Sequence, residues 1–313
     1  MMPDVGAVAA KSLTADFGMD TISLAGPLAT KLAVMKAAGF TQVMLAARDL
    51  VGHPDGWHAA VQEVRASGLR VTGFQVLRDF EGLSGEQGTS NLHDYKVDIA
   101  RAMLDMCSAL QSPLLLVCST TSKHASADEA VMARDLHKLA MMALPRNIRV
   151  AYEGLSWGRY INDCEGAWRV VQLANAPNLG LGIDSYHSFA MNTPPEALRR
   201  IDPAKIYLVQ LSDFMWQSVS SVEERIDTAR HFRVFPGEGA HGDQLSAWIA
   251  ELGYMGYKGD YSFEVFNDDY TQLPPPVVAK RALKSAQWLA HEVLGRKQGN
   301  PGAWVRGVCS ELP

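Results

Sequence analysis

The stretch Gly180-Leu181-Gly182-Ile183-Asp184-Ser185-Tyr186-His187 reads as a short apolar strand that ends abruptly in a carboxylate. An acid at the tip of a buried strand costs free energy unless a metal ion, an arginine or main-chain N–H groups bind it. Three residues after Asp184, His187 brings an imidazole to the same end of the strand.

Similar apolar runs recur along the chain, at 20–25, 42–47, 70–76, 113–118, 148–153, 180–184, 206–211 and 260–265. Near-continuous hydrophobicity of this kind fits parallel strands covered on both faces. Helical patterns lie between them, over 27–38, 57–67, 92–110, 127–143, 163–174, 195–201 and 244–252. Gly39, Gly68 and Gly253 follow the last apolar position of their helices, where a C-cap glycine is expected. Strand alternating with helix eight times predicts an α/β fold, a single-domain (β/α)8 TIM barrel over residues 20–295. Residues 1–19 precede it as an extension. A further C-terminal helix spans 276–295, and 296–313 form a Gly/Pro tail. A doubly wound open sheet is the alternative, but Ala25-Gly26-Pro27 stands where its G-x-G-x-x-G turn would be.

Composition narrows the function. The 313 residues are 47% hydrophobic and 20% charged, with a net charge of −5 and no basic block. Neither nucleic acid nor an anionic membrane is an expected partner. No apolar run approaches the ~20 residues that span a bilayer. Met1–Ala10 lacks the positive start and apolar stretch of a signal peptide. The four cysteines, Cys107, Cys118, Cys164 and Cys309, show no C-x-x-C spacing and read as reduced thiols. A cytoplasmic protein acting on a small molecule is expected, with a homo-oligomer left open.

In a TIM barrel the active site lies at the C-terminal ends of the strands. The fifth run ends in Glu153, the sixth in Asp184, the seventh in Gln210 and the eighth in Glu264. Taken singly, each is ordinarily a salt bridge or a helix N-cap. Four oxygen donors on consecutive strands converge on one mouth, where three carboxylates would repel one another without a cation. An all-oxygen set favours Mg²⁺ or Mn²⁺, with Co²⁺ admissible, over structural zinc. His187 is placed in the following loop as a general base. Arg78, after the third run, and Arg230, His231 and Arg233, in the long loop after the seventh, can reach over the same mouth. An arginine fork matches a carboxylate, so an acidic or oxygen-rich substrate is expected. The competing reading pairs these arginines with Asp79, Glu81 and Glu238. Gly154-Leu-Ser156-Trp-Gly158 fits the G-x-S-x-G of a serine hydrolase, but Asn162-Asp163 start the next helix several residues too late for a nucleophile elbow.

Tyr152-Glu153-Gly154, Gly182-Ile183-Asp184-x-x-His187, Val209-Gln210-Leu211-Ser212-Asp213 and Phe263-Glu264-Val265-Phe266-Asn267 resemble the xylose-isomerase-like sugar phosphate isomerase/epimerase superfamily. Glutamine as the seventh-strand ligand resembles its metal-dependent 3-dehydroshikimate dehydratase branch. Phe74-Gln75, Arg78-Asp79-Phe80-Glu81-Gly82, Leu116-Val117-Cys118-Ser119 and Arg230-His231-Phe232-Arg233 point the same way. The resemblance covers about residues 20–295. It implies that Glu153, Asp184, Gln210 and Glu264 bind the metal, His187 is the base, and Arg78 and Arg233 contact the substrate, with His231 beside them. The implied reaction is loss of water from 3-dehydroshikimate to give protocatechuate through a metal-stabilised enolate. A metal-dependent isomerase or epimerase of a keto-sugar is the alternative. The branch carries an acid at the end of the second strand and a serine before the Arg-His-Phe-Arg run, where this chain has Ala46 and Ala229.

Overall fold

Eight parallel strands close into a barrel in a computed structural model that describes residues 13–84 and 90–296. The strands are β1 (Phe17–Asp20), β2 (Gln42–Ala46), β3 (Arg70–Arg78), β4 (Leu114–Cys118), β5 (Arg149–Glu153), β6 (Leu179–Asp184), β7 (Ile206–Leu211) and β8 (Tyr261–Phe263). Each pairs with its sequence neighbour, and β8 returns to β1. The expected (β/α)8 barrel is the observed one. Every residue of β1, β2, β4 and β6 is buried, as expected of strands covered on both faces.

Two glycines in the opening stretch are there for space. A Cβ on Gly180 would sit 2.3 Å from the Lys205 carbonyl oxygen, and one on Gly182 would sit 2.8 Å from Leu116 Cδ1 inside the barrel. Larger residues would push β6 away from its neighbours and spoil the register, which sets Asp184 beside Gln210. Between β4 and β5 the register sets Cys118 beside Glu153.

Several boundaries differ from the sequence expectation. The first strand is Phe17–Asp20, not 20–25, so the barrel begins inside the supposed extension, and Thr21–Ser23 is a 3-10 turn across the mouth. Strand β8 stops at Phe263, which leaves Glu264 as the first residue past its end. Gly68 is a left-handed C-cap as expected, but Gly253 lies inside the helix Gly242–Tyr254. Residues Pro195–Arg200 form a 3-10 helix. The last helix, Pro275–Trp288, continues through a π turn, Leu289–Val293.

The segment after β7 carries more structure than a loop. A helix, Val222–His231, starts with a capping box between Ser221 and Glu224. Asp213–Phe214 then pairs antiparallel with Arg233–Val234, which folds Arg233 back over the mouth. His187 likewise sits in a short helix, Ser185–Ala190, for which Asp184 is the N-cap through Oδ1 and the Tyr186 N–H at 2.8 Å. Cys107, Cys118 and Cys164 are buried free thiols, as expected, and Cys309 lies outside the described residues. No described helix is long and apolar enough to cross a membrane.

One buried acid outside the mouth gives the barrel a pH signature. Glu81 Oε1 accepts from the Thr120 N–H at 2.5 Å and the Tyr152 hydroxyl at 3.0 Å, while Oε2 is buried with no partner. Burial pushes its pKa from 4.5 up to about 7, against the downward pull of those donors. Between those values the folded state binds more protons than the unfolded one. Stability attributable to Glu81 is therefore complete below pH 4.5 and declines as pH rises to 7, by about 3 kcal/mol. Glu81→Gln is expected to flatten the fall in denaturation midpoint between pH 5 and pH 8. An unchanged slope would assign that fall to other groups.

Candidate active site

The strand ends converge on a cavity of about 310 Å³, lined among others by Gln75, Arg78, Cys118, Glu153, Trp157, His187, Arg230, Arg233 and Glu264. Its volume is that of a small-ligand pocket. Asp184 and Gln210 lie behind this lining, 2% and 0% exposed.

Each of the four expected ligands has one polar atom held from behind. Glu153 Oε2 accepts from the Cys118 thiol at 3.0 Å, and Asp184 Oδ1 from the Tyr186 N–H. Glu264 Oε1 accepts from Gln75 Nε2 at 2.9 Å, and Gln210 Nε2 donates to Gln75 Oε1 at 3.5 Å. Of the remaining oxygens, Glu153 Oε1 and Gln210 Oε1 are buried without a hydrogen-bond partner. Asp184 Oδ2 and Glu264 Oε2 both accept from Arg233 Nη1, at 2.6 and 3.0 Å. Buried polar atoms are seldom left bare, so two orphaned oxygens beside two carboxylates sharing one cationic nitrogen describe a place that demands positive charge.

The electrostatics agree. Burial, reinforced by Asp184 and Glu264, holds the Glu153 carboxyl well above its ordinary pKa. Burial pushes Asp184 up to about 7, against the attraction of Arg233. Burial also disfavours the charged form of Arg233, but Asp184 and Glu264 outweigh it and hold the guanidinium protonated. Burial and the charge of Arg233 drive His187 well below the ordinary histidine value, so its ring is neutral.

His187 Nε2 lies 3.8 Å from Asp184 Oδ2. Its Nδ1 faces Ser156, with the main-chain N–H at 3.2 Å and Oγ at 3.1 Å. Ser156 is therefore a support for the imidazole, and the helix after it starts only at Cys164. The nucleophile-elbow geometry is absent there. Glu153, Asp184 and His187 each bring one ligand atom within 4.8 Å of the others, a spacing that can hold a metal ion.

The arginines and His231 divide differently from expectation. Arg78 and Arg230 line the cavity, and among the described residues neither has a carboxylate within ion-pair distance. Glu238 pairs instead with Arg281 at 2.9 Å, and Asp79 accepts from the Thr121 N–H at 2.8 Å. Arg233, expected as a substrate clamp, has Nη1 committed to the two carboxylates and Nε to the Ala229 carbonyl at 2.9 Å. His231 lies outside the cavity lining and pairs with Asp268 at 3.0 Å, because the helix Val222–His231 turns it outward. Ala229 lines the cavity and Ala46 does not.

Two site residues were missed as such by sequence reasoning. Asp20 ends β1, fully buried, and accepts from Gln75 Nε2. Burial, with Glu264 nearby, raises its pKa well above the ordinary value. Gln75 stands at the centre of the network.

The model of the family described as xylose isomerase-like TIM barrel matches residues 32–291. The chain belongs to that family. Among curated relatives of this xylose isomerase-like barrel, a 3-dehydroshikimate dehydratase of Pseudomonas aeruginosa is 37% identical over 270 residues, 86% of this chain and 41% of the relative. An inosose isomerase of Bacillus subtilis is 24% identical over 208 residues, 65% of this chain and 70% of that one. A solved structure described as a xylose isomerase-like TIM barrel/4-hydroxyphenylpyruvate dioxygenase fusion protein superposes with a TM-score of 0.81 at 33% identity, covering 89% of this chain and 43% of that chain. The chain thus spans about two fifths of the length of the Pseudomonas dehydratases it matches.

Proposed function

We propose that this barrel is a metal-dependent hydro-lyase that converts 3-dehydroshikimate to protocatechuate. The observation that supports the reading is a pair of buried oxygens without hydrogen-bond partners, Glu153 Oε1 and Gln210 Oε1, together with Asp184 Oδ2 and Glu264 Oε2 sharing one Arg233 nitrogen, beneath a cavity rimmed by Arg78 and Arg230. These are the residues that would hold a divalent cation, Mg²⁺ or Mn²⁺ by their hard oxygen character. Bound there, the ion would supply Lewis-acid stabilisation of the negative charge developing on a ketone oxygen.

The chain's own residues supply the rest. Arg78 and Arg230 offer guanidinium groups at the rim for the substrate carboxylate, a role better suited to them than to the internally committed Arg233. His187, kept neutral, takes the proton from the carbon beside the ketone at Nε2, and the hydroxyl on the next carbon breaks away and leaves as water with the proton that the imidazolium returns. The Ser156 N–H donates to Nδ1, which puts the proton of the neutral ring on Nε2, so Nε2 serves as the base only once that proton has moved to Nδ1 and is donated to Ser156 Oγ. Trp157, 5.1 Å from the imidazole between ring centroids, lines the cavity beside it. Three buried thiols in the reduced form fit a cytoplasmic enzyme.

An isomerase or epimerase of a polyhydroxy ketone could use the same carboxylates, as the inosose isomerase relatives suggest. The two rim guanidiniums favour the acid substrate. The Mn²⁺-loaded protein given 3-dehydroshikimate is expected to develop the near-ultraviolet absorbance of a catechol. No such signal, with turnover of a keto-sugar in its place, would transfer the assignment to the isomerase class.

A further inference from the structure

Asp20, Gln75 and Gln210 stand in file on the inner wall of the barrel, 0%, 2% and 0% exposed. Gln75 Nε2 donates to Asp20 Oδ2 and to Glu264 Oε1, and Gln75 Oε1 accepts from Gln210 Nε2. Asp20 is anchored in turn, since its Oδ1 accepts from the Ile22 N–H at 2.8 Å.

The donor and acceptor inventory makes this file directional. A carboxamide has one end that only donates and one that only accepts, whereas an ionised carboxylate only accepts. One end of Gln75 meets both Asp20 Oδ2 and the Glu264 carboxylate Oε1, which accepts only, so that end is the amino group. The oxygen of Gln75 is then turned to Gln210, which must answer with its own amino group. The oxygen of Gln210 is left pointing away from Gln75, buried and without a partner. The direction matters because an amide nitrogen, its lone pair delocalised, is no ligand for a hard cation, while the amide oxygen is.

We infer that Asp20 and Gln75 are positioning residues that lock the Gln210 amide with its oxygen toward a divalent cation. The inference rests on the cation-site reading above. It gives a role to a buried acid at the end of β1 whose two oxygens are both taken by hydrogen bonds. Supporting partners behind a ligand typically change metal affinity by about 10–100-fold. A carboxylate ligand presents oxygen whichever way it is turned, and so does not depend on the file.

The test is Mn²⁺ titration of the full-length, metal-stripped protein, with free Mn²⁺ read by electron paramagnetic resonance and folding checked by near-ultraviolet circular dichroism. Gln75→Met and Asp20→Leu are expected to weaken binding by about 10–100-fold. Asp20→Asn, which keeps one oxygen for the two donors Ile22 N–H and Gln75 Nε2, is expected to fall between wild type and Asp20→Leu. Gln75→Met in a Gln210→Glu background is expected to cost little, which closes a double-mutant cycle on the amide itself. Loss of affinity as large in the Gln210→Glu background as in wild type would overturn the inference, as would unchanged affinity in folded Gln75→Met. Wild-type protein that binds no Mn²⁺ would overturn this inference and the cation-site reading together.

Discussion

Chelation of the protein, or Asp184→Ala, is expected to lower turnover of 3-dehydroshikimate by about 10³-fold or more, since Lewis-acid stabilisation is worth several kcal/mol and each 1.36 kcal/mol is tenfold. Asp184 holds two positions at once. Oδ1 caps the helix that carries His187, and Oδ2 faces Arg233 and His187 Nε2. The alanine variant therefore loses a ligand oxygen and a cap together. Asp184→Asn separates them, because its amide oxygen still caps Tyr186 while the charge is gone. Metal content by mass spectrometry and catechol formation are expected to fall together in both variants. Adding Mn²⁺ back is expected to restore the chelated wild type and neither variant. Full activity in protein shown to be metal-free would remove the cation from the mechanism.

The barrel was legible because eight apolar runs alternate with helical patterns, and parallel strands need no polar face to be recognised. Glu153, Asp184, Gln210 and Glu264 drew notice for a related reason: a polar residue at or next to the end of an apolar run stands out. Asp20 obeys the same rule but was hidden. The apolar residues Ile22, Leu24 and Ala25 mimic a strand after it, whereas the chain turns at Thr21–Ser23 and the strand lies before it. Gln75 was hidden differently, because it lies within β3 and not at its end, and an amide inside a strand carries no pattern of its own. The partners of Arg233 were beyond sequence reading altogether. They depend on the antiparallel pairing of Asp213–Phe214 with Arg233–Val234 across an intervening helix, and local periodicity carries no information about a contact 49 residues apart. His231, two residues earlier, shows how sharp that dependence is: it follows the helix outward to Asp268.

Arg233→Met is expected to destabilise the metal-free protein by about 3–5 kcal/mol, the usual cost of removing one partner from a buried ion cluster. The side chain is 2% exposed and packs over the Tyr186 ring with 4.5 Å between guanidinium carbon and centroid, so methionine fills much of its volume. What methionine cannot replace is the positive charge between Asp184 Oδ2 and Glu264 Oε2, or the hydrogen bond from Nε to the Ala229 carbonyl. Those carboxylates then lie buried near Glu153 with only proton uptake to offset their repulsion. A divalent cation held by the same oxygens supplies that offset and binds the folded state alone, so it stabilises by mass action. Saturating Mn²⁺ is accordingly expected to raise the denaturation midpoint of Arg233→Met more than that of wild type and to close much of the gap between them. Equal shifts in the two proteins would mean that Arg233 and the cation do not answer to the same pair of carboxylates. A larger shift in the variant would identify the guanidinium as the charge that keeps the empty ligand cluster folded.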